Sequence, residues 1–290
     1  METVIITDSC CDLPIEFIEK HNIDVMSIRV NFCGQDIPDD LGKTLKHKKF
    51  YDEIRKGEMP STAQVNAFTF ESAFRKHVES GKSVIYVGFS SALSGCINSA
   101  KIAKEIICEE NKNADITIID SKSASLGLGL IVYYLCELIE SGISKEEAVN
   151  WVVNNKLKVN HWFTVDDLNH LKRGGRVSAA AAAFGTVLNI KPILHVDNEG
   201  RLIPLLKVKG RKKSIKVLAE KIKEKIIDPE NQVVFISHGD CIEEANHLKD
   251  IIMNEIKVKD IIINNIGPAV GSHSGPGTIA LFFIGENRNI

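Results

Sequence analysis

A chain of 290 residues, 44% hydrophobic and 26% charged, belongs with folded proteins rather than disordered or fibrous ones and is too long for one small module. Its 36 basic and 38 acidic residues leave a formal charge of −2, so it offers no broad positive field to nucleic acid. Seven cysteines without a Cys-x-x-Cys pair, an opening without a secretory leader and no apolar run near the ~20 residues that span a bilayer together predict a reduced, cytoplasmic protein.

In chain order, Val4 to Thr7 predicts a strand, Asp8-Ser9 a turn, and Pro14 opens a helix to about His21. Asp24 to Val30 predicts a second strand, and the polar stretch from Gly34 to Lys49 a loop leading into a short helix around Phe50 to Lys56. Ser61-Thr-Ala-Gln64 fits a capping box before a helix ending near Gly81. Val84 to Val87, a loop through Gly95, a helix to about Glu110, Ile116 to Ile119 and another helix continue the alternation. This pattern predicts a parallel sheet whose ligand sites lie beyond the strands' carboxyl ends, at the loops of Asp8, Ser90 and Asp120.

Asn154 to Asn160 reads as a seam, which places one α/β lobe over residues 1–157 and a second over 158–290. The second half predicts strands at Ile193 to Val196, Leu202 to Val208, Val233 to Ser237, Ile261 to Asn264 and Thr278 to Ile284, with helices near Ser214 to Lys225 and Cys241 to Glu255. Five alanines, Ala179 to Ala183, predict a close-packed helix.

Between a strand and a helix, Phe89-Ser-Ser-Ala-Leu-Ser-Gly95 presents backbone N–H groups and hydroxyls that suit a phosphate or a carboxylate. Taken alone, the loop is read first as a helix cap made by Ser94 or Ser91. Gly271-Ser-His-Ser-Gly-Pro-Gly277 predicts an irregular tight loop with His273 able to donate to an anion or carry a proton. No Walker sequence, no zinc-ligand spacing and no Gly-x-Ser-x-Gly elbow is present, although Ser94 and His273 could supply two members of a hydrolase triad. Lys207 to Lys216, with Arg173 and Arg176 around a glycine pair, form a local basic stretch. It is either a solvated face or a docking surface for an acidic or phosphate-bearing partner.

Taken together, Ile5-Ile-Thr-Asp-Ser9, Ser61-Thr-Ala-Gln64, Ser90-Ser-Ala-Leu-Ser-Gly95, Asp120-Ser-Lys-Ser-Ala-Ser125, Leu171-Lys-Arg-Gly-Gly-Arg-Val-Ser178, Ile190-Lys-Pro-Ile193 and Gly271 to Gly277 resemble the DegV family across the whole chain. The resemblance implies a two-lobed α/β fold: an N-terminal three-layer α/β/α lobe with a parallel sheet that binds an acyl chain, and a C-terminal two-layer lobe with a mixed sheet that closes the carboxylate site. It implies a non-enzymatic bacterial protein without a cofactor or metal. Such a protein binds a long-chain fatty acid in a buried tunnel and presents it to a fatty acid kinase, for conversion to acyl phosphate in phospholipid synthesis, with at most transient contact with a membrane surface. Residue by residue, the carboxylate would be held by Thr62, Ser94 and His273, with Ser91 and the Gly95 amide as further candidates, and the kinase would dock at Arg173 or Arg176 and at Lys209 or Arg211. Ala63, Val65 and Cys96 depart from the family's usual serine, proline and threonine, and Lys209 stands where many members carry arginine. Two other functions fit parts of the pattern: a serine-dependent acyl hydrolase using Ser94 and His273, and a small-anion-binding module.

Overall fold

The computed structural model describes residues 2–178 and 189–289. In chain order it forms β1 (Thr3–Asp8), a short turn at Ser9–Cys11, α1 (Ile15–Lys20), β2 (Asp24–Met26), β3 (Arg29–Phe32), β4 (Gln35–Pro38), α2 (His47–Arg55), β5 (Ser61–Ala63), α3 (Ala67–Glu79), β6 (Ser83–Gly88), α4 (Cys96–Glu110), β7 (Ile116–Asp120), α5 (Leu126–Glu140) and α6 (Lys145–Asn155). It continues with β8 (Val159–Thr164), α7 (Asn169–Arg173), β9 (Ile190–Val196), β10 (Leu202–Lys209), α8 (Arg211–Lys225), β11 (Val233–His238), α9 (Ile242–Glu255), β12 (Asp260–Asn265), α10 (Pro268–Ser274) and β13 (Ile279–Ile284).

Two large sheets organise the chain. The first, in the order β2-β1-β6-β7, is parallel throughout. The second, β10-β9-β8-β13-β11-β12, is mixed: β11 and β12 run parallel and the other pairs are antiparallel. A small antiparallel sheet, β4-β3-β5, completes the set.

Successive residues of the six-stranded sheet point to opposite faces. Phe235 and Phe282 join the core shared with the first half, whereas Val234, Ile236, Leu281 and Phe283 join a second core. On that second side, α8 and α9 supply Leu218, Ile222, Leu248 and Ile252. The first-half face meets α5, which touches β6 of the parallel sheet as well as β8, β11 and β13. A helix held between two sheets must be apolar almost all round, which accounts for Leu126-Gly-Leu-Gly-Leu-Ile-Val132, buried without a break.

Several sequence expectations change at element level. Asp24 to Val30 is two strands in different sheets, β2 and β3. Ser61-Thr-Ala-Gln64 is no capping box: Ser61 to Ala63 pair with Asn31 to Arg29, so those residues are extended. The following helix starts instead at Asn66, whose Oδ1 accepts from the Thr69 amide at 2.9 Å. His273 sits on α10 rather than in a loop. Gly271 is there for close packing, since a Cβ at that position would fall 2.6 Å from the Tyr51 hydroxyl. The polar run after Gly34 contains β4, and β8 begins within the expected seam. The expected alanine helix, 179–183, lies outside the described residues.

Candidate functional site

A cavity of about 200 Å³ lies among residues from both halves of the chain. Its walls include Ile28, Phe89, Leu93, Phe163, Val196, Ala280 and Phe282. All of these are buried; of its polar lining groups, Ser125, His161, Ser274 and Thr278 are buried as well, Thr62, Ser94, Gly95, Arg176 and His273 are half-buried, and Gln64 is exposed. The cavity is therefore walled mostly by apolar side chains, and its more exposed end is polar.

Thr62 is placed by β5, where it pairs with Val30, and His273 by the last turn of α10. The Thr62 Oγ1 and His273 Nε2 lie 2.8 Å apart across 211 residues of sequence. Burial, reinforced by the Arg176 and Arg173 charges, lowers the His273 pKa to about 4, so the ring is neutral at pH 7 and carries one N–H. On its other side the ring faces Gly174, where an added Cβ would meet Nδ1 at 2.2 Å. Arg176 ties this end together, donating from Nε to the Leu93 carbonyl at 3.2 Å and from Nη1 to the Gly174 carbonyl.

Ser94 precedes α4. Its Oγ accepts from the Cys96 amide at 3.4 Å and donates to the Cys96 Sγ at 3.3 Å. It is thus a cap and a cavity residue at once. Sulfur is a weak acceptor, so a ligand oxygen can draw the hydroxyl away at little loss. No hydrogen bond joins Ser94 to His273 among the described residues, and the ring's partner is Thr62.

The remaining sequence candidates fall elsewhere. Ser91 does not line the cavity; its exposed hydroxyl donates to Asp120 at 2.5 Å and accepts from Lys122 at 3.1 Å. Arg173 is exposed, 3.1 Å from His170, and Lys209 is exposed on β10. Arg211 is turned into the protein, donating to both Glu244 oxygens at 3.0 Å and to the Gly277 carbonyl at 2.5 Å. Among the described residues one group of possible metal ligands converges, His21, Glu137 and Glu140, with ligand atoms within 4.8 Å; none of them lines the cavity.

Sequence reasoning missed the groups that hold α10. Asp12 Oδ1 accepts from the Gly267 amide, and Asp39 Oδ2 from the Ala269 amide, both at 2.8 Å. Asp12 also accepts from Ser125 at 2.5 Å. Both aspartates are buried, which raises both pKa values, that of Asp39 to about 7. Asp8, likewise buried, accepts from Tyr86 and from the Phe89 amide at 2.8 Å and so anchors the loop leading to Ser94. A sequence signal existed in two acids four residues apart, Asp8 at the end of β1 and Asp12 after it, beside a turn whose amides and hydroxyls they could bind.

Comparison with known proteins adds to this geometry. The family model described as uncharacterised protein, DegV family, matches residues 2–286. The chain belongs to the DegV family. A DegV domain-containing protein of Clostridium perfringens is 46% identical over 98% of both chains. Among solved structures, a DegV lipid-binding protein from Thermotoga maritima superposes with a TM-score of 0.86 at 29% identity, covering 100% of each chain. A DegV family protein from Thermus thermophilus, described by its fatty acid binding, gives 0.89 at 26% identity over 98% of this chain and 100% of its own. The mixed α/β architecture with a parallel and a mixed sheet is thus the DegV fold. No helix among the described residues is long and apolar enough to cross a membrane.

Proposed function

We infer that this DegV protein binds a long-chain fatty acid, tail in the cavity and carboxylate at its polar end, and presents the acid to a separate fatty acid kinase that makes the acyl phosphate. The observation that carries the reading is the Thr62–His273 pair at the half-exposed end of a cavity walled mostly by apolar side chains. Each buried methylene contributes about 0.8 kcal/mol, so the tail supplies most of the affinity and the polar end fixes its direction. The Thr62–His273 bond uses one of that pair's two donors, so the other, with the Ser94 hydroxyl, can donate to a carboxylate without a buried charge of their own, and the Gly95 amide can add to them. In this reading residues 1–157 bind the chain and residues 158–290 close the carboxylate site, although Phe163, Val196 and Phe282 bring the second half into the tail's wall as well. Kinase docking falls to Arg173 and Lys209, which are exposed, since Arg176 and Arg211 are tied to groups of the chain itself.

Support comes from the family membership and from the lipid and fatty acid named for the Thermotoga and Thermus proteins. Hydrolysis by Ser94 and His273 is less well supported: a triad needs its nucleophile bonded to the base, and here each has another partner. The test is mass spectrometry of lipid carried by the purified protein and by a variant with Thr62, Ser94 and His273 all changed to Ala. Stoichiometric free acid in the first and its loss in the second is expected; equal lipid content in both rejects the assignment.

A further inference from the structure

Five hydroxyl-bearing residues line the cavity, and four of their side chains are engaged. Thr62 meets His273, Ser94 meets Cys96, Ser125 meets Asp12 and Ser237, and Thr278 donates to the Ser274 and Gly275 carbonyls. The fifth, Ser274, is 5% exposed, and its Oγ has no hydrogen-bond partner among the described residues. A helical serine has a ready alternative in the carbonyl four residues back, which Ser272 uses at 2.7 Å on Pro268. Ser274 leaves that alternative unused and lines the cavity instead. A buried hydroxyl without a partner is unfavourable, and native proteins keep few of them.

We propose that Ser274 is a further ligand-binding residue, whose hydroxyl hydrogen-bonds an oxygen at the acid end of the bound lipid. The proposal rests on the fatty-acid reading above. Ser274 follows His273 directly on α10 and lines the same cavity, buried where His273 is half-buried, which places it on the deeper side of the polar end. The oxygen can come from the carboxylate itself or from a hydroxyl on the first carbons of the chain. Both are the same chemistry to a serine.

Ser274→Ala, Thr62→Ala and the unaltered protein would be delipidated, and their affinities for hexadecanoic and 3-hydroxyhexadecanoic acid measured by calorimetry, with thermal unfolding of each ligand-free protein. The proposal expects Ser274→Ala to lose affinity about tenfold or more, as for a hydrogen bond to a charged group. Loss with both acids identifies the carboxylate as the partner; loss with the hydroxy acid alone identifies the chain hydroxyl. The ligand-free variant should melt at the same temperature or higher, because it has shed an unpaired group. Unchanged affinity for both acids overturns the proposal while Thr62→Ala still weakens binding. A ligand-free midpoint lowered by several degrees also overturns it, by showing the hydroxyl already engaged. If the unaltered protein binds neither acid, the fatty-acid reading fails and takes this one with it.

Discussion

His273 is fixed by what surrounds its ring: Thr62 on one nitrogen, Gly174 against the other, and two arginines whose charge opposes protonation. The absent side chain at 174 is as much part of the site as the hydroxyl at 62. Gly174→Ala should push the ring from Thr62 and reduce fatty acid affinity about tenfold while the fold survives, since Gly174 has ordinary helical dihedrals. Calorimetry with hexadecanoic acid checks this, and an unchanged Kd would show that the ring can move without loss. The lowered pKa has a thermodynamic consequence with a definite sign. Between about 4 in the folded protein and 6.5 unfolded, the unfolded chain binds more protons, so stability from this group rises as pH rises through that window. The unaltered protein should gain up to about 3 kcal/mol on His273→Gln between pH 4 and 7, measured by urea unfolding. Parallel pH profiles would mean the ring is not held neutral. His273 was legible in the sequence as a candidate because glycines and serines surround it; Gly174 was visible only as part of a motif, because nothing in a sequence shows which ring a glycine makes room for.

At the scale of elements, α10 is the part that brings His273 to Thr62, and it starts on two buried carboxylates from distant turns, Asp12 and Asp39. Burial, with smaller contributions from Asp40 and Asp8, lifts Asp39 to about 7 against the opposing amides of Ala269 and Leu41. Here the sign is the reverse of that for His273: the folded protein holds the extra proton, so stability is fullest below pH 3.8 and is lost as pH rises through 7. Asp39→Asn keeps an acceptor for the Ala269 amide and cannot ionise. Its stability relative to the unaltered protein should therefore rise by about 2–3 kcal/mol between pH 5 and 8, and an identical pH dependence in the two would refute the assignment. The alternating strands and helices of the parallel sheet could be read from the sequence because their apolar runs are clean. β8 could not, since Asn160, His161 and Thr164 interrupt its apolar pattern while being buried themselves. Polar side chains buried inside a protein look, in sequence, like a linker. The three residues of β5 failed for a related reason, because a strand that short is defined by its partner β3 rather than by its own composition.

Across the whole molecule, a helix and a buried arginine add to the hydrogen bonds that join the two halves at α10. α5 lies between the two large sheets, and its all-round apolar sequence announced a buried helix without saying what buried it. Arg288 gave less notice, since an arginine is ordinarily exposed. It is 2% exposed, and no carboxylate pairs with it among the described residues. Its guanidinium donates to the carbonyls of Lys122 and Val159 at 2.6 Å and of Lys156 at 2.8 Å, and to the Ser123 hydroxyl at 2.7 Å. These groups follow β7, join α6 to β8 and open β8, so one side chain bridges the seam between the sheets. Arginine suits the place because its planar fork offers several fixed donors, where lysine has a single ammonium that cannot reach all four groups at once. Arg288→Met keeps much of the apolar bulk but leaves three carbonyls without these donors. The loss should be about 3–5 kcal/mol in urea unfolding, and Arg288→Lys should recover only part of it. A loss under about 1 kcal/mol for Arg288→Met would mean that water replaces the guanidinium readily and that the halves are held together without it.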